Sequence, residues 1–211
     1  MIVPSMSLSE VKKSVYNDYE PEVKNKVESI KVVYKQKWIR NGRKDFAETV
    51  AFPVKSKNNW RITIICNNDN VTTIPYLISY DKHGITASCM ADLQEGHLLH
   101  FNAHFFKRFR ERGKIDMDKP EQVIKLFFRK NQVLIPCYSP RENGTQQLFV
   151  PVNGGVGLGN YHLDTGICEF KTFVDNSLLG QDQCDAISQI WTDTANELMA
   201  EMQRRRDKRA N

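Results

Sequence analysis

The stretch HFNAHFFKRFRERG, residues 100 to 113, crowds histidines, arginines and phenylalanines into one short segment. Wound as a helix at about 100° per residue, it lines up His104, Arg108 and Arg112 at i, i+4 and i+8, with Glu111 beside them. Phe105 and Phe109 form the neighbouring stripe. One face can therefore anchor in a core while the next presents an imidazole, two guanidiniums and a carboxylate. That set suits RNA cleavage without a metal. A base takes the 2′-hydroxyl proton, an arginine fork steadies the pentavalent phosphorane, and an acid protonates the leaving 5′-oxygen. His104 lies in the first turn, where free N–H groups and the helix dipole favour an anion. Such chemistry needs a second proton carrier, which Glu111, His100 or His162 could supply. A close approach of His162 to His104 would support it. The plainer reading is a solvated helix face with weak ion pairs, and composition alone favours it.

Other spacings are less informative. His100 and His104 are separated like two metal ligands on one helical turn, but His100 precedes the residue that caps the helix. No third ligand stands at a telling distance, so neither metal nor cofactor is expected. Gly154, Gly155, Gly157 and Gly159 look nucleotide-like, yet YHLDTGICEF follows them as strand and turn where a phosphate loop needs a helix N-terminus. They read as a floor on which another element lies. The cysteines at 66, 89, 137, 168 and 184 form no C-x-x-C pair and read as reduced core thiols.

The elements that position these residues follow from periodicity. Ser7 and Glu10 have capping-box spacing, and Pro21 suits the first turn of a second helix carrying Val23, Val27, Ile30, Tyr34 and Trp38 on one face. FAETVAFPV, WRITIICN, TIPYLISY and ITASCMADL read as strands, with DKHG as a hairpin turn. Asn102 caps the basic helix and Gly113 ends it. Pro120 opens a companion helix burying Val123, Ile124, Phe127 and Phe128. Then QVLIPCY, QQLFVPV, GVGLGNYHL and ICEFKTFV, joined by ENG, NGG and DTG turns, make a four-stranded antiparallel meander. Ile187, Ile190, Trp191, Thr194, Leu198 and Met202 form a closing amphipathic helix that runs into RRRDKR. The fold class is α+β, helices packed on an antiparallel sheet within a single domain over residues 1–211. Its sub-regions are N-terminal helices (1–45), a strand-rich segment (46–99), the helix pair with the meander (100–176), and the C-terminal helix with its basic tail (177–211).

HFFKRFRERGKIDMDKPEQVIKLF resembles the helix pair of small toxin-like families in which H-x-x-x-R-x-x-x-R-G precedes a second helix. Those families continue through an antiparallel sheet to a strand bearing a threonine, as GVGLGNYHLDTGICEFKTFV does with Thr172. They are similar to the barnase/RelE-like metal-independent endoribonucleases, whose sheet handles RNA on its concave face. The resemblance spans residues 100 to 176. It implies catalytic positions at His104, Arg108, Arg112 and Thr172, with His162 and Lys171 bordering the same face and His100 and Glu111 contributing to substrate binding.

Composition sets the remaining limits. The chain has 211 residues and a net charge of +5 from 30 basic and 25 acidic side chains, a balance that permits an RNA partner without requiring one. Apolar runs fall short of a membrane span and MIVPSMSLSE does not read as a signal peptide, so a cytoplasmic protein is expected. Two readings remain. One is an RNA-binding or RNA-cleaving domain. The other is a non-catalytic binding or structural protein of phage or mobile-element origin, with a protein inhibitor or partner as an open question for either.

Overall fold

The computed structural model describes residues 1–68, 70–91, 96–139 and 146–210, and of Ser139, Met202, Arg205, Arg206 and 208–210 the main chain only. The ENG turn, the end of ITASCMADL, Met202 and most side chains of the basic tail therefore lie outside the described residues.

Helix α1 (Leu8–Asp18) opens on the expected capping box: Glu10 N–H donates to Ser7 Oγ at 3.3 Å, and Ser7 N–H donates to Glu10 Oε2 at 2.7 Å. Pro21 corrects one expectation. It does not start a separate helix but lies inside a π-helical turn, Tyr19–Val23, that carries α1 directly into α2 (Lys24–Arg40). Proline has no N–H for the usual bond, and the wider turn absorbs the gap, with Lys24 N–H reaching Tyr19 O. Val23, Val27, Ile30 and Trp38 are buried along the foreseen stripe.

Strands β1 (Phe46–Pro53), β2 (Asn59–Asn67), β3 (Asn70–Asp81) and β4 (Gly84–Met90) form an antiparallel run. At the β3–β4 turn Asp81 Oδ1 accepts from the N–H groups of His83 and Gly84 (2.6 and 2.9 Å), and Gly84 takes φ 134°. The sequence reading did not foresee β5 (Leu98–Phe101). It is four residues long and passes through Asn102 straight into α3 (Ala103–Arg112), so its apolar residues merge with the helix pattern. Asn102 Oδ1 accepts from Phe105 N–H at 2.9 Å. Gly113 closes α3 at φ −75°, and the left-handed residue is Lys114 at φ 48°. Helix α4 (Pro120–Lys130) buries Val123, Ile124, Phe127 and Phe128 as expected.

The meander β6 (Cys137–Ser139), β7 (Gln146–Val152), β8 (Gly155–His162) and β9 (Ile167–Asp175) is antiparallel, as expected. Only the end of QVLIPCY joins it, because Pro136 offers no N–H to a ladder. A long α5 (Gln181–Ala210) closes the chain. Among the described residues nine strands make one sheet, ordered β1-β2-β3-β4-β5-β9-β8-β7-β6, and the parallel β5–β9 pairing joins its halves. The protein is α+β.

Alternation decides what covers each face. Leu99, Phe101, Leu148, Val150, Phe170 and Phe173 face α3 and α4. On the other face Trp60, Ile62, Leu77, Leu98 and Ile167 pack under α1 and α2. Further along that face, α5 lays Ile187 and Trp191 over Cys137, Phe149 and Val156. Between these two covers the sheet carries polar side chains.

A buried carboxylate fastens the first cover. Asp18 Oδ2 accepts from Asn58 Nδ2 (2.7 Å), Trp60 Nε1 (3.0 Å) and Ser56 Oγ (2.9 Å). Asp18→Ala leaves two buried N–H donors without this acceptor and should cost about 3 kcal/mol. Urea unfolding should show a lower midpoint at an unchanged slope, whereas an unmoved midpoint would deny the carboxylate this role.

Candidate functional site

The opening stretch divides its residues as periodicity suggests. Phe105, Phe106 and Phe109 are buried, and His104, Arg108 and Glu111 lie outward. Arg108 Nε donates to His104 Nε2 at 3.3 Å, and the same guanidinium pairs with Glu111 at 3.1 Å. Both partners of that ion pair are well exposed, so it contributes little to stability. Arg112 is engaged differently, donating to the main-chain oxygen of Phe173. Pairing between β5 and β9 ends at Phe101 and Phe170, so the guanidinium serves a carbonyl beyond the end of that ladder. His104 also lines a depression of about 420 Å³ with His83, Lys107 and Arg110.

The polar strip lies on the opposite face. Register places Ser88 beside His100, His100 beside Glu169, Glu169 beside Asn160 and Asn160 beside Gln147. Paired residues project to one side, so these five side chains form a row across β4, β5, β9, β8 and β7. The row grades from buried at Ser88 and His100 to exposed at Gln147. A bulge in β9 enriches it. Leu158 pairs with Thr172 but Gly159 pairs with Phe170, leaving Lys171 as the extra residue. Phe170 and Phe173 thus both face the core, while Lys171 and Thr172 both turn to the open face. Gly159 makes this possible, since a Cβ there would lie 1.9 Å from Glu169 O.

At the centre His162 Nε2 stands 3.0 Å from Glu169 Oε2, and Lys171 Nζ stands 3.3 Å from the same oxygen. Glu169 is 17 % exposed, His162 36 % and Lys171 46 %, so an anchored carboxylate holds two accessible cationic or proton-bearing groups. Beside them Gln147, Phe149, Leu158, Asn160, Lys171 and Thr172 line a shallow depression of about 270 Å³.

His100 is the buried end of the row, its Nδ1 2.9 Å from Ser88 Oγ. Burial pushes its pKa down to about 4, against a smaller opposing effect of the Glu169 and Asp81 carboxylates. An unfolded imidazole titrates near 6.5, so between about pH 6.5 and 4 the unfolded chain binds the extra proton. Stability therefore falls as the pH drops through that window, by up to about 3 kcal/mol. Melting temperature followed from pH 7 to pH 4.5 should decline in the wild type and decline less in His100→Gln. Parallel curves would remove His100 as the cause.

The structure thus groups His100, His162, Lys171 and Thr172 on one face and leaves His104, Arg108 and Glu111 on α3, packed against the other. It brings neither Thr172 beside Arg108 nor His162 beside His104, so the approach expected to support cleavage by the α3 histidine is not made. Sequence reasoning missed Glu169 and Asn160. The signal for Glu169 was present: with DTG as a tight turn, His162 opposes Ile167, and Glu169 lies two residues further on the same face. Four of the five cysteines are buried and Cys184 is half-buried; burial pushes the Cys168 thiol up to about 11. Among the described residues no group of three His, Cys, Asp or Glu side chains is placed to hold a metal, and no helix is long and apolar enough to cross a membrane. Comparison with protein-family models, curated proteins and solved structures finds no match to the chain.

Proposed function

We propose that this protein binds RNA along the open strip of its sheet and cleaves it without a metal. The observation that carries the reading is the His162–Glu169–Lys171 cluster, an imidazole, a carboxylate and a cation within hydrogen-bonding reach on a sheet face that no helix covers among the described residues. Glu169 takes the proton of the 2′-hydroxyl, and O2′ attacks phosphorus to form a 2′,3′-cyclic phosphate. His162 gives a proton to the departing 5′-oxygen. Lys171 offsets the charge that grows on the non-bridging oxygens, and the Thr172 hydroxyl can hydrogen-bond one of them. The neighbouring Asn160, Gln147 and Leu158 offer hydrogen bonds and an apolar surface to unstacked bases. The residues that carry the resemblance to toxin-like endoribonucleases are divided between the two faces, so the proposal rests on the sheet cluster and not on that resemblance.

A second reading, binding without catalysis, is favoured by the basic depression at His83, His104, Lys107 and Arg110 on the other face. Cleavage of a labelled mixed-sequence RNA in EDTA separates them. The proposal expects cutting by the wild type and by His104→Ala, and none by His162→Ala. Cutting lost only in His104→Ala would move the chemistry to α3. Salt-sensitive binding with no cutting by the wild type would establish the second reading.

A further inference from the structure

The buried end of the strip opens into a second cavity, of about 570 Å³, which the mechanism above does not use. Its two sides differ. The N-terminal segment supplies an apolar wall of Ile2, Val3, Pro4 and Met6, and the sheet supplies a polar floor of Ser79, Thr86, His100 and Glu169. Ile2 N–H donates to Asn58 Oδ1 at 2.7 Å, which ties that wall to the Asp18 network and holds it over the floor. His100 is only 6 % exposed and lines the cavity. Its Nδ1 is taken by Ser88, and among the described residues its Nε2 has no hydrogen-bond partner. With Nδ1 engaged, Nε2 is the ring atom left to meet a ligand in the cavity. Glu169 borders both sites, giving Oε2 to His162 and Lys171, while its Oε1 has no partner among the described residues.

From this arrangement we infer that the cavity receives a single nucleobase of the bound RNA, swung out of the strand beneath the N-terminal segment. The inference rests on the RNA reading and names the subsite that would give it base preference. A flat heterocycle matches the two walls, since its face lies on Ile2, Val3, Pro4 and Met6 while its edge meets His100 Nε2 and Glu169 Oε1. The cavity is large enough for a base with part of its ribose. The lining sets Lys82 and His83 beside Asp81 and Glu169 and so gives a phosphate no net attraction, whereas Lys171 outside it offers the backbone a cation. Because Glu169 is common to both sites, a base seated in the cavity places its own ribose beside the cleavage groups.

The test titrates the full chain with each of the four ribonucleoside 5′-monophosphates, with ribose 5-phosphate as the control, by calorimetry. Val3→Trp fills the cavity from an exposed position, and His100→Gln alters its floor. RNA binding of the wild type and of Lys171→Ala is measured in parallel. At least one nucleotide should bind where ribose 5-phosphate does not, and each variant should weaken it by about tenfold or more. Nucleotide binding equal to that of ribose 5-phosphate, or unchanged in Val3→Trp, overturns the inference. If RNA binds in a Lys171-dependent way but no nucleotide does, the cavity fails and the strip stands. A nucleotide held in the cavity by a chain that binds no RNA supports the cavity and removes the RNA reading.

Discussion

If the sheet cluster cleaves RNA as proposed, Glu169→Gln should lower metal-free cleavage by about 10²–10⁴-fold and leave the fold in place. The amide keeps the size of the carboxylate but cannot accept the 2′-hydroxyl proton. It also removes the negative charge that His162 and Lys171 share at 3.0 and 3.3 Å. Both effects act in the transition state, so the loss should appear in kcat, with KM changed much less. Circular dichroism and thermal melting should remain close to wild type, since Glu169 is part of no hydrophobic cluster. Cleavage by Glu169→Gln at the wild-type rate would exclude this carboxylate as the base.

Phe127→Ala should produce the largest loss of stability, about 3–5 kcal/mol. Phe127 is fully buried. Its ring stands 5.0 Å from Phe101, 5.3 Å from Phe105, 5.7 Å from Phe106, and 5.2 Å from both Phe109 and Phe128. Most of these contacts are edge-to-face, the arrangement the ring quadrupole favours. Truncation would open a cavity among five aromatic neighbours that belong to β5, α3 and α4 and cannot all collapse into it. Because a domain is stable by only about 5–15 kcal/mol, a loss of this size should be plain in urea unfolding. Phe127→Leu should recover most of it. Cleavage per folded molecule should barely change, since the strip is built by β8 and β9 on the far face. A change of under about 1 kcal/mol for Phe127→Ala would mean that α3 and α4 are not held to the sheet in this way.

Local signals in the sequence account for most of the fold. The Ser7–Glu10 box, the Asn102 cap, the Pro120 start and the period-two runs each act over a few residues, and each element sits close to where they place it. What escaped depends on distant pairing. Leu98–Phe101 is a strand because β4 and β9 flank it, and nothing within LLHF announces that. The parallel β5–β9 ladder sets His100 beside Glu169 across long sequence separation, so that half of the row could not be read locally. The other half could. Phe170 and Phe173 are spaced by three within a strand, which forces an irregularity if both are to be buried, and that irregularity turns Lys171 and Thr172 outward together. On α3 the helical spacing brought His104, Arg108 and Arg112 into line correctly, but spacing does not say which sheet face a helix covers. Burial of the phenylalanines puts His104 and Arg108 on the far side from Thr172, while Arg112 turns to the main-chain oxygen of Phe173.

The account stands on RNA lying over β8 and β9, and mapping a bound, uncleavable RNA tests this most directly. A short single-stranded RNA with its 2′-hydroxyls methylated, so that O2′ cannot attack, is titrated into isotope-labelled protein and followed by NMR. The strip predicts that the main perturbations fall on Asn160, His162, Glu169, Lys171 and Thr172, weakening as salt rises. Perturbations confined to His104, Lys107, Arg108 and Arg110 on α3, with the strip silent, would contradict it.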